Sequence, residues 1–247
     1  AVHGINAMLF AIKEWSYLAD SPFFISKLRC KFKKPLYLGT EISIEIKNFN
    51  DSIKINLIQG EEIKTALLIE ANDTKHDYAK IKPHDSQTDL IPKNISFNKL
   101  IGHSGQIECS LNIPLAEKYY SADFIRKIGY EQLAEILSLS RIVGMHSPGL
   151  NSILSEVSFC KNTHKVDAIS FKVKSVDDRF SIINIESSGP HYNSNIKAFY
   201  RPPEVKQRTI EEIKNNIQID EFKHYRALII GASRGLGELT AKCLGYG

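Results

Sequence analysis

Seven consecutive residues near the end of the chain, GASRGLG, have a spacing that suits phosphate binding. They run from Gly231 to Gly237, between the apolar run 227–230 and a segment of helical composition. In a strand, turn and helix of this kind, glycines permit a tight turn, and unpaired N–H groups at the helix start meet the charge of a pyrophosphate. The sequence therefore predicts a nucleotide-binding turn.

The spacing G-x-x-x-G-x-G resembles the nucleotide-binding turn of the short-chain dehydrogenase/reductases. The matching residues are Gly231, Ala232, Ser233, Arg234, Gly235, Leu236 and Gly237. The resemblance implies the first strand and helix of a Rossmann domain that binds NAD or NADP. One strand and one helix cannot complete such a domain, and the family's acidic ribose ligand and its catalytic Ser, Tyr and Lys would follow Gly247. We therefore expect the chain to be a fragment of a longer reductase fusion.

The region before this turn repeats one order of elements. Apolar residues on nearly every side predict a buried helix at 2–15, and alternating patterns predict strands after it. The first set of strands is predicted at 23–32, 41–49, 52–60 and 63–71. A second helix is predicted at 129–144, preceded by a strand at 106–113 and followed by strands at 152–160, 166–176, 180–188 and 195–200.

A buried helix enclosed by an antiparallel sheet is the hotdog arrangement, and two in tandem resemble the MaoC-like dehydratases and hydratases. The likeness rests on the His3-Gly4 helix start, on FKKPLYLGTEI from Phe32 to Ile42 and on RIVGMHSPGLNSILSEVSF from Arg141 to Phe159. Thr40 stands where the family prefers Asp. The predicted fold class is therefore α+β, a tandem hotdog followed by the first βα unit of an α/β Rossmann domain.

This organisation divides the chain into five segments. We expect a first hotdog at 1–73, incomplete at its N-terminus, and a second hotdog at 100–200, joined by a polar linker at 74–99. A second linker, 201–224, contains a short amphipathic helix around Ile210, and the reductase begins at 225–247.

The hotdog resemblance implies an enzyme that removes water from a 3-hydroxyacyl thioester, or adds it back, with CoA or an acyl carrier protein as the carrier. By resemblance Gly4 is the candidate donor to the thioester carbonyl, and the alternative is that it only permits tight entry into the helix. His3 is a weaker catalytic candidate, expected mainly to cap or pack. The family's acid and base, an Asp and a His, are expected before Ala1. A homodimer is compatible with this resemblance.

Two alternatives stay open: a non-catalytic hotdog scaffold that binds acyl chains or dimerises the reductase, and an acyl thioesterase with a different carboxylate placement.

Four other residues are candidates by type alone. Asp123 precedes the second helix without a nearby His, and His146 is expected in a solvated turn. Glu131 and Glu135 lie one helical turn apart, which we interpret as solvated surface.

Composition excludes several classes of protein. The net charge is only +4, from 32 basic and 28 acidic residues, so nucleic-acid binding is not expected. The four cysteines lie far apart and form no C-x-x-C pair, which disfavours a metal site and disulfides and favours a reducing cytoplasm. No apolar run approaches the roughly 20 residues that span a bilayer, so no membrane partner is expected.

Overall fold

The computed structural model describes residues 3–74, 82–83, 91–164, 166–202 and 207–247. The chain forms two compact units, which divide between Arg201 and Pro202. The helices of the first unit are α1 (Gly4–Ser16), α2 (Ile113–Tyr119), α3 (Ala122–Ile128) and α4 (Tyr130–Arg141). Its strands are β1 (Phe23–Phe32), β2 (Ser43–Phe49), β3 (Ser52–Gln59), β4 (Glu62–Asp73), β5 (Lys82–Pro83), β6 (Ser104–Glu108), β7 (Ser110–Leu111), β8 (Ser152–Lys161), β9 (Ala168–Asp177), β10 (Ile182–Ser188) and β11 (Tyr192–Tyr200). Among the described residues, no helix is long and apolar enough to cross a bilayer.

Nine of these strands form one antiparallel sheet in the order β2-β3-β4-β1-β8-β11-β10-β9-β6. Strands β1 and β8 join the two sequence repeats, since Lys27 pairs with Cys160 and Lys31 with Glu156. The predicted arrangement of helix and antiparallel sheet is confirmed, and both repeats share one sheet. The predicted domain boundaries stay predictions, because most of the linker at 74–99 lies outside the described residues.

The helix α1 is buried because apolar side chains cover most of its circumference. Ile5, Met8, Leu9 and Ile12 are fully buried and belong to the main core. Each such side chain contributes roughly 1.5–3 kcal/mol through burial. The helix packs on β3 and β4, so the sheet holds its first turn in a defined position.

The helix α4 ends earlier than the sequence predicts. It changes at Ile142 into a wide turn that extends to His146, in which the N–H of Ser147 donates to the carbonyl of Ile142 at 2.7 Å. Wide turns of this type place residues off the regular helical surface. Gly144, within this turn, lines the same cavity as the start of α1.

The second unit contains two helices, α5 (Ile210–Ile213) and α6 (Gly235–Tyr246). The helix after the glycines is confirmed, but the strand predicted at 227–230 is wrong, because residues 225–229 have no regular structure. Leu228 and Ile230 are 90% and 91% exposed. A strand needs a neighbouring strand to pair its N–H and C=O groups, and the described part of this unit contains none. The predicted Rossmann unit is therefore not formed here.

Candidate functional site

His3 lies between the start of α1 and the end of α4. It precedes α1 in an extended conformation, and its side chain makes no capping hydrogen bond. Its Nε2 atom lies 3.4 Å from the hydroxyl oxygen of Ser140. Burial of part of the ring lowers the pKa of His3 below 6.5, although the residue keeps contact with solvent. His3 is therefore mainly neutral at neutral pH and can accept a proton.

Gly4 is the first residue of α1 and lies against the ring of Phe32. A Cβ atom on Gly4 would lie 3.3 Å from one ring carbon and 3.4 Å from two others, so the ring would have to shift. This packing is a structural reason for glycine. Its N–H group is also one of the first in the helix and has no acceptor within α1. The position suits both roles considered for Gly4, and the role of carbonyl donor stays a prediction.

A cavity of about 570 Å³ opens beside these two residues, and we name it the α1-start cavity. Its walls come from the first turn of α1, the end of β1 with the loop after it, the end of α4, the start of β8 and the end of β11. It includes His3, Gly4, Phe32, Ser140 and Gly144. His3 is the one side chain among its described lining residues that titrates near neutral pH.

A second cavity of about 510 Å³ is lined mainly by apolar side chains, and we name it the apolar cavity. The helix α2 forms one wall, and the Asn112 side chain fixes its start by accepting the N–H of Leu115 at 3.0 Å. The apolar lining residues are Phe10, Leu111, Leu115, Ala116, Tyr119, Tyr120 and Leu137. Polar lining residues are Asn6, Lys13, Ser110, Asn112 and Arg141.

The two cavities share the helix pair α1 and α4. Gly4 and Ser140 line the α1-start cavity, whereas Phe10 and Leu137 line the apolar cavity. Neighbouring positions line different cavities, since Ala7 and Ser140 line the α1-start cavity and Asn6 and Arg141 line the apolar cavity. The two cavities therefore lie on different sides of these helices. A helix N-terminus and a titratable ring line one of these cavities, and mainly apolar side chains line the other.

A buried carboxylate in α4 is the largest difference from the sequence interpretation. Glu135 is 1% exposed, so its assignment to solvated surface is wrong. Its two oxygens accept the backbone N–H groups of His191 at 2.8 Å and Tyr192 at 2.9 Å. Its Oε2 also lies 2.9 Å from Nδ1 of the His191 ring. A Cβ atom on Gly189 would collide with this carboxylate, so the turn between β10 and β11 requires glycine there.

Gln132, one turn before Glu135, extends the polar network across the two repeats. Its side-chain oxygen accepts the hydroxyl of Tyr192 at 2.6 Å and the N–H of Ile25 at 2.9 Å. Its amide nitrogen donates to the carbonyl of Phe23 at 2.9 Å. The helix α4 is therefore bonded to both β1 and β11 by buried side chains, which stabilises the wall of the apolar cavity.

These carboxylates change the acid–base behaviour of their neighbours. Burial disfavours the charged form of His191, but hydrogen bonds to Glu135 and Glu131, with their negative charges, outweigh it and raise its pKa above 6.5. The Nε2 atom of His191 lies 3.2 Å from Glu131, which is 37% exposed. Burial, with the charges of Glu135 and Glu131, raises the pKa of Cys109 to about 12.

The structure assigns packing or surface roles to the two remaining candidates. Asp123 forms ion pairs with Arg126 at 2.5 Å and Lys127 at 3.5 Å, and the hydrogen bond to Arg126 lowers its pKa. His146 is half-buried with its ring 5.7 Å from that of Phe171, so its placement in a solvated turn is wrong. Neither residue lines the α1-start cavity or the apolar cavity.

In the second unit, the glycines form a tight turn that leads into α6, although the strand predicted before them is not formed. Gly231 and Gly235 have positive φ angles of 81° and 66°. A Cβ atom on Gly237 would collide with the carbonyl oxygen of Gly231. All three positions therefore require glycine, and the turn leads directly into the first N–H groups of α6. The roles of Ser233, Arg234 and Leu236 as cofactor contacts stay predictions.

Comparisons with known proteins give remote structural similarities only. No protein-family model matches the sequence, and neither does any curated protein. An acyl-CoA thioesterase II, TesB2, from Mycobacterium marinum is 8% identical, with 81% of this chain and 89% of that chain covered and a TM-score of 0.45. A hot dog fold protein from Alicyclobacillus acidocaldarius is 10% identical, with coverages of 81% and 88% and a TM-score of 0.45.

A third similar structure is the dehydratase domain of a mycocerosic acid synthase-like polyketide synthase. It is 10% identical, with coverages of 81% and 83% and a TM-score of 0.44. Similarities at this level assign neither a reaction nor a substrate to this chain.

Proposed function

We propose that the first unit binds an acyl thioester and catalyses dehydration of its 3-hydroxyacyl form, or the reverse hydration. The observation that carries this proposal is that α1 and α4 line both the cavity beside His3 and Gly4 and a second, mainly apolar cavity. An acyl chain suits a compartment lined by Phe10, Leu115 and Leu137, and burial of each methylene contributes about 0.8 kcal/mol. The thioester then lies in the α1-start cavity.

The chemistry requires a base for the proton on C2 and donors for the negative charge that develops on the thioester oxygen. The N–H of Gly4 and the positive end of the α1 dipole supply the second requirement. His3 is neutral near pH 7, because its pKa is lowered, and it is the candidate base among the described residues of this cavity. His3 takes the C2 proton, the electron pair of the C–H bond forms the C2–C3 double bond, and the protonated His3 returns the proton to the 3-hydroxyl, which leaves as water as its C–O bond breaks.

Substitution of Gly4 tests this assignment. We expect Gly4→Val to lower hydration of a 2-enoyl thioester by ~10²-fold, comparable to the loss of one oxyanion donor. The melting temperature of the same variant separates function from packing against Phe32. A Cβ atom on Gly144 would meet nothing within 4 Å, so Gly144→Ala is the matched variant and should reduce the rate far less. Unchanged hydration and unchanged melting in Gly4→Val would exclude the donor role.

The same assay separates the alternatives. Release of free thiol without hydration would indicate a thioesterase, and binding of an acyl thioester without turnover would indicate a scaffold. A variant of the apolar cavity, Leu115→Arg, should weaken binding of a long-chain acyl N-acetylcysteamine thioester. Leu150→Arg is its control, since Leu150 is exposed and lines neither cavity.

We further propose that the glycine turn of the second unit binds the pyrophosphate of NAD or NADP. The tight turn that these glycines form supports this proposal, because it leads into the start of α6, where the first N–H groups have no acceptor within the helix. Such a cofactor supplies hydride for reduction of a 3-oxoacyl thioester. We expect Gly237→Ala to weaken NADPH binding, with Gly245→Ala in α6 as the control because its Cβ atom would meet nothing within 4 Å. Equal binding by both variants would exclude this site.

A further inference from the structure

The two serines of α4 make different contacts. Ser138 is fully buried and donates to the carbonyl of Ala134 at 2.8 Å, which is the common back-bond of a helical serine. The hydroxyl oxygen of Ser140 instead lies 3.4 Å from Nε2 of His3. Within the described residues this is the only side-chain hydrogen bond of Ser140. The contact of Ser140 therefore does not serve the helix that carries it.

The pair of Ser140 and His3 is assembled from both repeats of the chain. Ser140 lies in the last turn of α4, and His3 directly precedes α1, 137 positions earlier. Both side chains line the α1-start cavity, and so does Gly4, whose N–H group has no acceptor within α1. A hydroxyl group, an imidazole ring and a free helix N–H therefore belong to the lining of one cavity.

The α1-start cavity offers hydroxyl groups but no carboxylate. Its hydroxyl residues are Thr65, Ser140, Ser152 and Ser155, and none of its described lining residues is acidic. Of these four hydroxyl groups, the one that contacts a histidine within the described part of the chain is that of Ser140. A nucleophile supplied by this lining is therefore a serine hydroxyl rather than a carboxylate.

We propose that Ser140 is a nucleophile that takes the acyl group from a thioester and holds it as an ester, with His3 as its base. This inference goes beyond the proposed hydration and depends only on the binding of an acyl thioester in the α1-start cavity. It also differs from the thioesterase alternative above, in which a carboxylate acts. A neutral imidazole within reach of a serine is the arrangement that activates the hydroxyl, and the distance between the two is often longer before a substrate binds.

The reaction proceeds in two steps. The Ser140 oxygen forms a bond to the thioester carbonyl carbon while His3 takes the hydroxyl proton, and the negative charge that develops on the carbonyl oxygen is stabilised by the N–H of Gly4. The C–S bond then breaks, and His3 returns the proton to the sulfur, so that a free thiol leaves and an ester remains on Ser140. In the second step water attacks the ester with His3 again transferring the proton, which releases a carboxylic acid and restores Ser140.

Labelling with a long-chain alkyl fluorophosphonate tests the nucleophile in the full chain. An activated serine displaces fluoride and keeps a stable phosphonate ester, and tandem mass spectrometry assigns the labelled residue. We expect the label on Ser140, and His3→Gln should slow labelling by ~10²-fold, the effect of losing a general base. Ser155→Ala is the matched control and should slow labelling far less, because Ser155 lines the same cavity without contacting a histidine. A chain that stays folded without label on Ser140 would overturn the inference.

Release of N-acetylcysteamine from a long-chain acyl thioester measures turnover. Ser140→Ala should lower this rate by ~10²-fold or more, and combining it with His3→Gln should add little, because a nucleophile and its base act as a unit. Multiplied losses in the double variant would contradict the pair. Ser140→Cys keeps the size of the side chain, and its acyl adduct should be a thioester that neutral hydroxylamine removes. An adduct of Ser140→Cys that resists hydroxylamine, or no adduct in a folded variant, counts against the inference.

Hydration of a 2-enoyl thioester, measured on the same samples, separates this inference from the proposed function. If hydration occurs while Ser140 is not labelled, the inference fails and the proposed function stands. Label on Ser140 with thiol release but without hydration supports the inference and excludes the hydration. If labelling, thiol release and hydration are all absent, both fail.

Discussion

Replacement of Glu135 by alanine should be among the most destabilising single changes in the first unit. The carboxylate accepts the N–H groups of His191 and Tyr192 and contacts the His191 ring, while its own side chain is 1% exposed. Water cannot replace these bonds without opening the turn between β10 and β11. Alanine therefore leaves two backbone donors without an acceptor.

The expected magnitude follows from those donors. An unsatisfied buried N–H group costs about 1–3 kcal/mol, so two of them cost about 2–6 kcal/mol. We expect Glu135→Ala to lower the free energy of unfolding by about 4 kcal/mol. Glu131 provides a matched control one turn earlier, because it is 37% exposed and has a single contact with His191 at 3.2 Å. Glu131→Ala should cost less than about 1 kcal/mol.

Urea unfolding followed by circular dichroism measures the free energies of unfolding of both variants. If the free energy depends equally on urea concentration in the two variants, their unfolding transitions are comparable. The free energy of unfolding of Glu135→Gln should lie between the values of the two alanine variants. The amide oxygen of Gln can accept one of the two N–H groups, but its NH₂ group then faces the other N–H group and cannot accept from it. The reasoning is refuted if Glu135→Ala and Glu131→Ala differ by less than about 1 kcal/mol. Such a result would mean that the turn relaxes and that its N–H groups reach water.

Three further outcomes are expected. The pKa of His191 is raised in the folded state, so His191 contributes stability that is fully present below pH 6.5. This stability is lost as the pH rises through the folded-state pKa. His191→Gln should therefore remove this pH dependence from the free energy of unfolding. Cys109, with a pKa of about 12, should react with iodoacetamide at neutral pH far more slowly than the exposed Cys160, and equal rates by mass spectrometry would contradict its burial. Amides of 227–230 should exchange with deuterium nearly as fast as an unstructured peptide, and protection equal to that of β1 would show that this segment is paired.

Local pattern was sufficient for the strands and the buried helix of the first unit. The predicted strand at 23–32 is β1, and the predicted helix at 2–15 overlaps α1 at all but its ends. The reason is that side-chain alternation and helical spacing are properties of neighbouring residues. Of the site, the sequence indicated His3, Gly4 and the glycine turn, since helix starts and tight turns also have local signals.

Contacts between distant residues decided the rest. Glu135 looks like a surface residue beside Glu131, and its position one turn before the buried Leu139 was the available signal against that interpretation. It is buried because a turn 56 positions later in the chain supplies its hydrogen-bond donors. The apolar cavity likewise exists only because α1, α2 and α4 meet in the folded unit.

The segment 227–230 is a case in which the sequence predicts a strand that the tertiary structure does not form. Its apolar run has the composition of a strand, yet it is irregular and exposed. In contrast, β1 and β8, from different repeats, pair and make one sheet of the two halves. Composition determines which segments can become strands. Each backbone hydrogen bond of a strand, however, needs a partner from elsewhere in the chain. Only the tertiary structure decides whether that partner is present.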